Sequence, residues 1–130
     1  MIGLDTNVLV RYLAQDDEEQ LRQVLALLLK KGAMFFVPDL VLVETDWVLS
    51  SLYQWTPDEI AEAFARLLTV QNLAFENEGR IRGALRALRD GADLSDELIV
   101  DRCREAGCKS VATFDREMTK RHRGYAVTPR

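Results

Sequence analysis

Twice this chain runs a short apolar segment into an aspartate and on into a helix-forming stretch, as MIGLD at one end and as SVATFD near the other. The same alternation fills the space between. A helix from about Thr6 is followed by a longer one carrying Leu21, Val24, Leu25 and Leu28 at helical spacing, with Gly32 to end it. A second strand over 34–37 passes through Pro38-Asp39 into LVLVETDWVLSSLYQ, long and apolar enough to be a largely buried helix. Thr56 caps the next helix and Pro57 takes its first position, with Ile60, Ala63, Phe64, Leu67 and Leu68 as the apolar face. A short strand over 73–75 precedes a helix marked by Ile81, Leu85 and Leu88 and stopped at Asp90-Gly91. After GADLSDE comes a helix to about Ala106, then Gly107, the strand SVATF, a short helix and an edge strand over 125–127. Strands alternating with helices predict an α/β fold, a parallel sheet covered on both faces.

In open parallel sheets the ligand crevice lies beyond the carboxyl ends of the strands, where Asp5 and Asp115 fall. An ionised carboxylate taken out of water needs a partner, a proton or a metal. Glu44 shares a helix face with Val41, Val48 and Leu52 and raises the same demand, whereas Asp46 points elsewhere and is expected in solvent. In DLSDELI, Asp93 suits a helix cap, while Asp96 enters the same helix in the company of Asp5 and Asp115. Four carboxylates converging on one rim repel one another unless a divalent cation neutralises them, and hard oxygen donors select Mg²⁺ or Mn²⁺.

A length of 130 residues predicts one domain over 1–130. No apolar run is long enough to span a membrane, and no basic segment followed by an apolar core marks the chain for secretion, so a cytoplasmic location is expected. Cys103 and Cys108 match no zinc spacing and are expected to be reduced packing residues. The single histidine, His122, lies in KRHRG and is expected in solvent, which leaves histidine- or cysteine-based chemistry poorly supported. The net charge of −4 requires local basic help for any polyanionic substrate. Arg82, Arg86 and Arg89 share a helix face, Lys120, Arg121 and Arg123 crowd one end, and Arg11 lies near the Asp5 helix. The first cluster and Arg11 are the weak candidates for RNA contact, against the plainer reading of a solvated face. Trp47 is expected in the core and Trp55, at a helix end, at an interface.

LDTNVLVRYL, VPDLVLVETDWVL, GADLSDELI and GCKSVATFD, in this order, make the chain resemble the PIN domain nucleases, in particular the small VapC-type toxins of bacterial VapBC toxin–antitoxin pairs. That resemblance implies a PIN-like α/β/α sandwich with a central, mainly parallel sheet of four to five short strands. It implies a Mg²⁺-dependent endoribonuclease, with Mn²⁺ able to substitute, a VapB-type antitoxin partner and a homodimer. Carried across residue by residue, it makes Asp5, Glu44, Asp96 and Asp115 the catalytic and metal-binding quartet, Asp5 and Asp96 the direct ligands, and Asn7 and Thr113 their supports. Where members carry a small residue and Ile-Ala after the third acid, this chain has Glu97 and Leu98-Ile99-Val100, which leaves Asp93 or Asp96 as principal ligand and Glu97 as an extra carboxylate. A metal-bound water would be the nucleophile, with Glu44 or Asp115 accepting its proton. Two other readings compete: a haloacid-dehalogenase-like phosphatase, whose Asp-x-Asp is broken here by Asn7, and a noncatalytic module that holds a cation or a basic partner.

Overall fold

A computed structural model describes residues 1–130. The chain runs β1 (Ile2–Gly3), α1 (Thr6–Ala14), α2 (Glu18–Leu28), β2 (Phe35–Val37), α3 (Asp39–Ser51) and α4 (Pro57–Leu67). It continues through β3 (Leu73–Phe75), α5 (Glu78–Arg89), α6 (Leu94–Glu105), β4 (Val111–Ala112), α7 (Arg116–Arg121) and β5 (Ala126–Val127). Six of the seven helices begin on a side-chain cap: Asp5, Asp17, Thr56, Asn77, Asp93 and Asp115. Such caps stabilise a helix by about 1 kcal/mol each. Thr56 caps α4 and Pro57 opens it, as the sequence predicts, and Glu59 completes a reciprocal capping box. At the far end of α6, Gly107 takes φ +88°, and the N–H groups of Gly107 and Cys108 return to the carbonyls of Arg104 and Cys103. That left-handed closure turns the chain from α6 into β4.

Every strand pair is parallel. β2 lies between β1 and β3, with Ile2 opposite Phe35 and Phe36 opposite Ala74. The fold is thus mixed α/β with a parallel sheet and many helices, consistent with an α/β/α sandwich. The sheet is in two parts, however, because β4 pairs only with β5. β1 and β4 have two residues each, and each pairs along one side only, β1 with β2 and β4 with β5.

The main core gathers Phe35 and Val37 from β2, Leu42 and Leu49 from α3, Phe64 and Leu67 from α4, Ile81 and Leu85 from α5, and Leu94 and Leu98 from α6. A separate cluster, Val100, Met118 and Ala126, holds the β4–α7–β5 segment. α3 departs from the expected largely buried helix. Its buried side is Val41, Leu42, Thr45 and Leu49, while Leu40, Trp47 and Leu52 stand exposed, so Trp47 is not a core residue. Cys108 is exposed too, since it follows the helix-ending Gly107, and Cys103 is half-buried beside it.

Candidate active site

The residue just past β1 decides the placement of the first acid. Leu4 turns into the core, so Asp5, the next residue, turns out into solvent at the carboxyl end of β1. There it caps α1, its Oδ1 accepting from the Thr6 N–H at 2.8 Å, with Oδ2 free. The Thr6 hydroxyl donates to Glu44 Oε2 at 2.8 Å, which ties α1 to α3. Glu44 is exposed, not set on the buried stripe, because Thr45 rather than Glu44 continues the row from Val41 and Leu42 to Leu49. The burial penalty that the sequence attaches to Asp5 and Glu44 is therefore absent. Asn7, the expected support, makes no side-chain hydrogen bond, and Thr6 occupies that role instead.

A second acidic group forms where α6 begins. Asp93 caps α6, accepting at Oδ1 from the Ser95 N–H at 3.1 Å and the Ser95 hydroxyl at 3.2 Å. Asp115 caps α7, its Oδ1 accepting from the N–H groups of Glu117 at 2.9 Å and Met118 at 3.1 Å. The N–H of Asp115 donates to Thr113 Oγ1 at 3.0 Å, which pins the residue from behind. Between these caps sits Asp96, half-buried, its carboxyl pushed up to about 6 first by burial and then by the charges of Asp93 and Asp115. Asp93, Asp96 and Asp115 line one cavity of about 180 Å³ together with Glu97, Arg121 and His122.

Asp46 belongs to this neighbourhood, contrary to the expectation of a solvated side chain. α3 packs on α6, and burial followed by the nearby Asp93 pushes the Asp46 carboxyl up to about 6 as well. The acids thus form two groups, one joined through Thr6 and one around the entrance of α6. No three acidic, histidine or cysteine side chains stand close enough together to enclose a cation by themselves.

The basic candidates divide as well. Arg11 is spent on structure, donating to Gln20, to Asp16 at 3.3 Å and to the Tyr53 hydroxyl at 3.0 Å. Arg82 and Arg89 pair with Glu78 and Glu62, and Arg86 stays exposed without an ion pair. His122 is not a solvated residue: its Nε2–H donates to Glu97, and both side chains are largely buried. Trp55 is half-buried and lines a cavity of about 610 Å³ with Tyr12, Glu62 and Arg89, to which none of the four acids of the quartet contributes.

The sequence reading missed Arg80, which is buried and binds Asp39 at 2.9 Å, Asp101 at 3.0 Å and Glu105. Burial raises the Asp39 carboxyl, and Arg80 works against that rise. Arg80 shares the buried face of α5 with Ile81, Ala84, Leu85 and Leu88, so an arginine at the head of an apolar row was the available signal.

A family model described as PIN domain matches residues 2–123. No match was found among curated proteins or among solved structures.

Proposed function

The chain belongs to the PIN domain family, generally a metal-dependent nuclease fold, and on that premise we propose that it is a Mg²⁺-dependent endoribonuclease, the toxin of a type II toxin–antitoxin pair. The observation that carries this reading is the half-buried Asp96 between Asp93 and Asp115, a concentration of negative charge that a divalent cation relieves. Asp5, Glu44, Asp96 and Asp115 would hold the ion, with Asp5 and Asp96 as direct ligands and Asp93 retained as the cap of α6. All four are hard oxygen donors, which suits Mg²⁺ and equally Mn²⁺. Mg²⁺ keeps several waters and is completed by one or two carboxylates plus substrate phosphate oxygens rather than by an all-protein cage.

A bound Mg²⁺ supplies a lowered pKa for a coordinated water and neutralises charge that develops on the phosphate. The chain's own residues orient that chemistry. Helix capping spends Oδ1 of both Asp5 and Asp115 on backbone N–H groups and leaves each Oδ2 free to face the site. Thr6 holds Glu44 Oε2, so Oε1 is the atom placed to take a proton from water. Exposed Arg86, with Arg82 and Arg89 beside it on α5, is the basic surface proposed for RNA phosphates. The homodimer and the VapB-type antitoxin would find apolar surface on α3, where Leu40 and Trp47 are exposed. A cytoplasmic location accords with this role, and no helix is long and apolar enough to cross a membrane.

The absence of a three-donor site favours one other reading, a noncatalytic module that holds a basic partner. Turnover of RNA separates the two. Purified protein incubated with end-labelled structured RNAs in Mg²⁺, Mn²⁺ or chelator yields discrete fragments if it is the nuclease, and none if it is the module.

A further inference from the structure

We infer that His122 is a positioning residue of the acidic site: its bond to Glu97 holds α7 against α6 and thereby fixes Asp115 relative to Asp96. This rests on the nuclease reading above and names a part of that site outside the quartet.

The placement of Asp115 is unusually dependent on side chains. Asp115 is the N-cap of α7 and His122 its C-cap, so the helix carries the acid at one end and the clamp at the other. No strand pairing joins this segment to the main sheet, because β4 pairs with β5 alone. Its apolar anchor is the small cluster in which Val100 of α6 meets Met118 and Ala126. Three polar ties remain. Tyr125 lies under the Arg104 guanidinium at 3.8 Å, at the end of α6 remote from Asp96. Arg121 donates to the Asp90 carbonyl at 2.6 Å, in the loop before α6. Of the three, His122 is the one that reaches the first turn of α6 itself, at the residue immediately after Asp96.

Successive residues on a helix point about 100° apart, so Glu97 meets His122 at one side of the cavity while Asp96 lies by Asp93 and Asp115. Glu97 and His122 are largely buried, at 13% and 19% side-chain exposure, and a bond kept from water holds its geometry better than an exposed one. The imidazole N–H donates to the carboxylate whether or not the ring is protonated. The clamp thus takes Glu97 Oε2, which assigns Glu97 to that bond in place of the extra-ligand role that its position beside the third acid left open.

The test measures Mn²⁺ binding by calorimetry on the full chain without RNA, for the native protein, His122→Ala, Glu97→Gln and Asp96→Asn, with melting in chelator as a check on folding. Loss of a residue that orients a ligand typically weakens metal binding by about tenfold or more, and this is expected for His122→Ala. Glu97→Gln still accepts the His122 N–H and is expected to stay within about threefold of native, a rescue that a charge effect of Glu97 on the metal would not give. Should His122→Ala not fold, His122→Asn, polar but too short to reach Glu97, takes its place with the same expected loss. Native affinity in these His122 variants, tighter binding because a freed Glu97 joins the ion, or an equal loss in Glu97→Gln overturns the inference. If only Asp96→Asn loses binding, the nuclease site stands and the clamp falls; if the native protein binds no Mn²⁺, both fall.

Discussion

The Thr6 hydroxyl donates to Glu44 Oε2 across 2.8 Å, and the same residue's N–H caps onto Asp5, so one threonine sets the spacing of two acids on different elements. Thr6→Val removes the hydroxyl at nearly constant volume. Mn²⁺ affinity is expected to fall by about tenfold, as for other residues that orient a ligand, while the exposed setting keeps the stability change below about 1 kcal/mol. Calorimetry with Mn²⁺ and melting in chelator check the two halves, and unchanged affinity would separate Thr6 from the site.

Asp96 titrates near 6 in the folded chain, above the roughly 3.9 of an exposed aspartate. Between those values the folded state holds more protons than the unfolded one, so stability falls as pH rises through the window and stays low above it. Asp96→Asn removes this loss. In chelator at about pH 7.5 the variant is expected to be more stable than native by roughly 1 kcal/mol after allowance for solvent screening, and the gap is expected to close near pH 4. Asp46 shifts in the same direction and keeps part of the slope in the variant. A variant no more stable than native near neutral pH would mean that Asp96 carries no such strain.

Arg80 is the sole counter-charge within hydrogen-bonding distance of the buried Asp39 carboxylate, with Arg102 farther off at 3.8 Å. Removing one partner of a buried pair strands the other, so Arg80→Met is expected to cost about 3–5 kcal/mol. Adding Asp39→Leu in the same chain is expected to recover a large part of that loss. Denaturant unfolding of the single and double variants decides it, and additive losses would contradict the coupling.

The orientation of α3 makes a paired prediction. Leu49 is fully buried and Trp47 is 62% exposed. Leu49→Ala is expected to cost about 2–5 kcal/mol, and Trp47→Ala less than about 1 kcal/mol despite the larger side chain lost. Equal losses in urea unfolding, at a protein concentration low enough to keep any dimer dissociated, would place Trp47 in the core after all.

The elements were legible because their signals are local. Thr56-Pro57 with Glu59, the strand over 73–75 and the helix stop at Gly91 all read correctly from neighbouring residues. What the sequence hid depends on which face packs. α3 has apolar residues nearly all round, so periodicity could not tell that Thr45 rather than Glu44 lies inward, or that Asp46 turns toward α6. His122 looked solvated because its flanking charges are solvated, and only the tertiary contact with Glu97 reveals the buried ring. The acids at the ends of β1 and β4 were visible as a pattern. The contacts that hold them were not, because the Thr6 bond to Glu44 and the caps at α6 and α7 are tertiary or side-chain features rather than strand pairing.

The most direct test of the central claim is cleavage of end-labelled structured RNAs by pure protein, freed of any antitoxin, across a Mg²⁺ titration, with Asp96→Asn beside the native chain. Discrete fragments that require Mg²⁺ or Mn²⁺ and vanish in a folded Asp96→Asn variant are the predicted result. Cleavage that persists in chelator, or that the variant carries out at the native rate, would contradict a nuclease site built on these carboxylates.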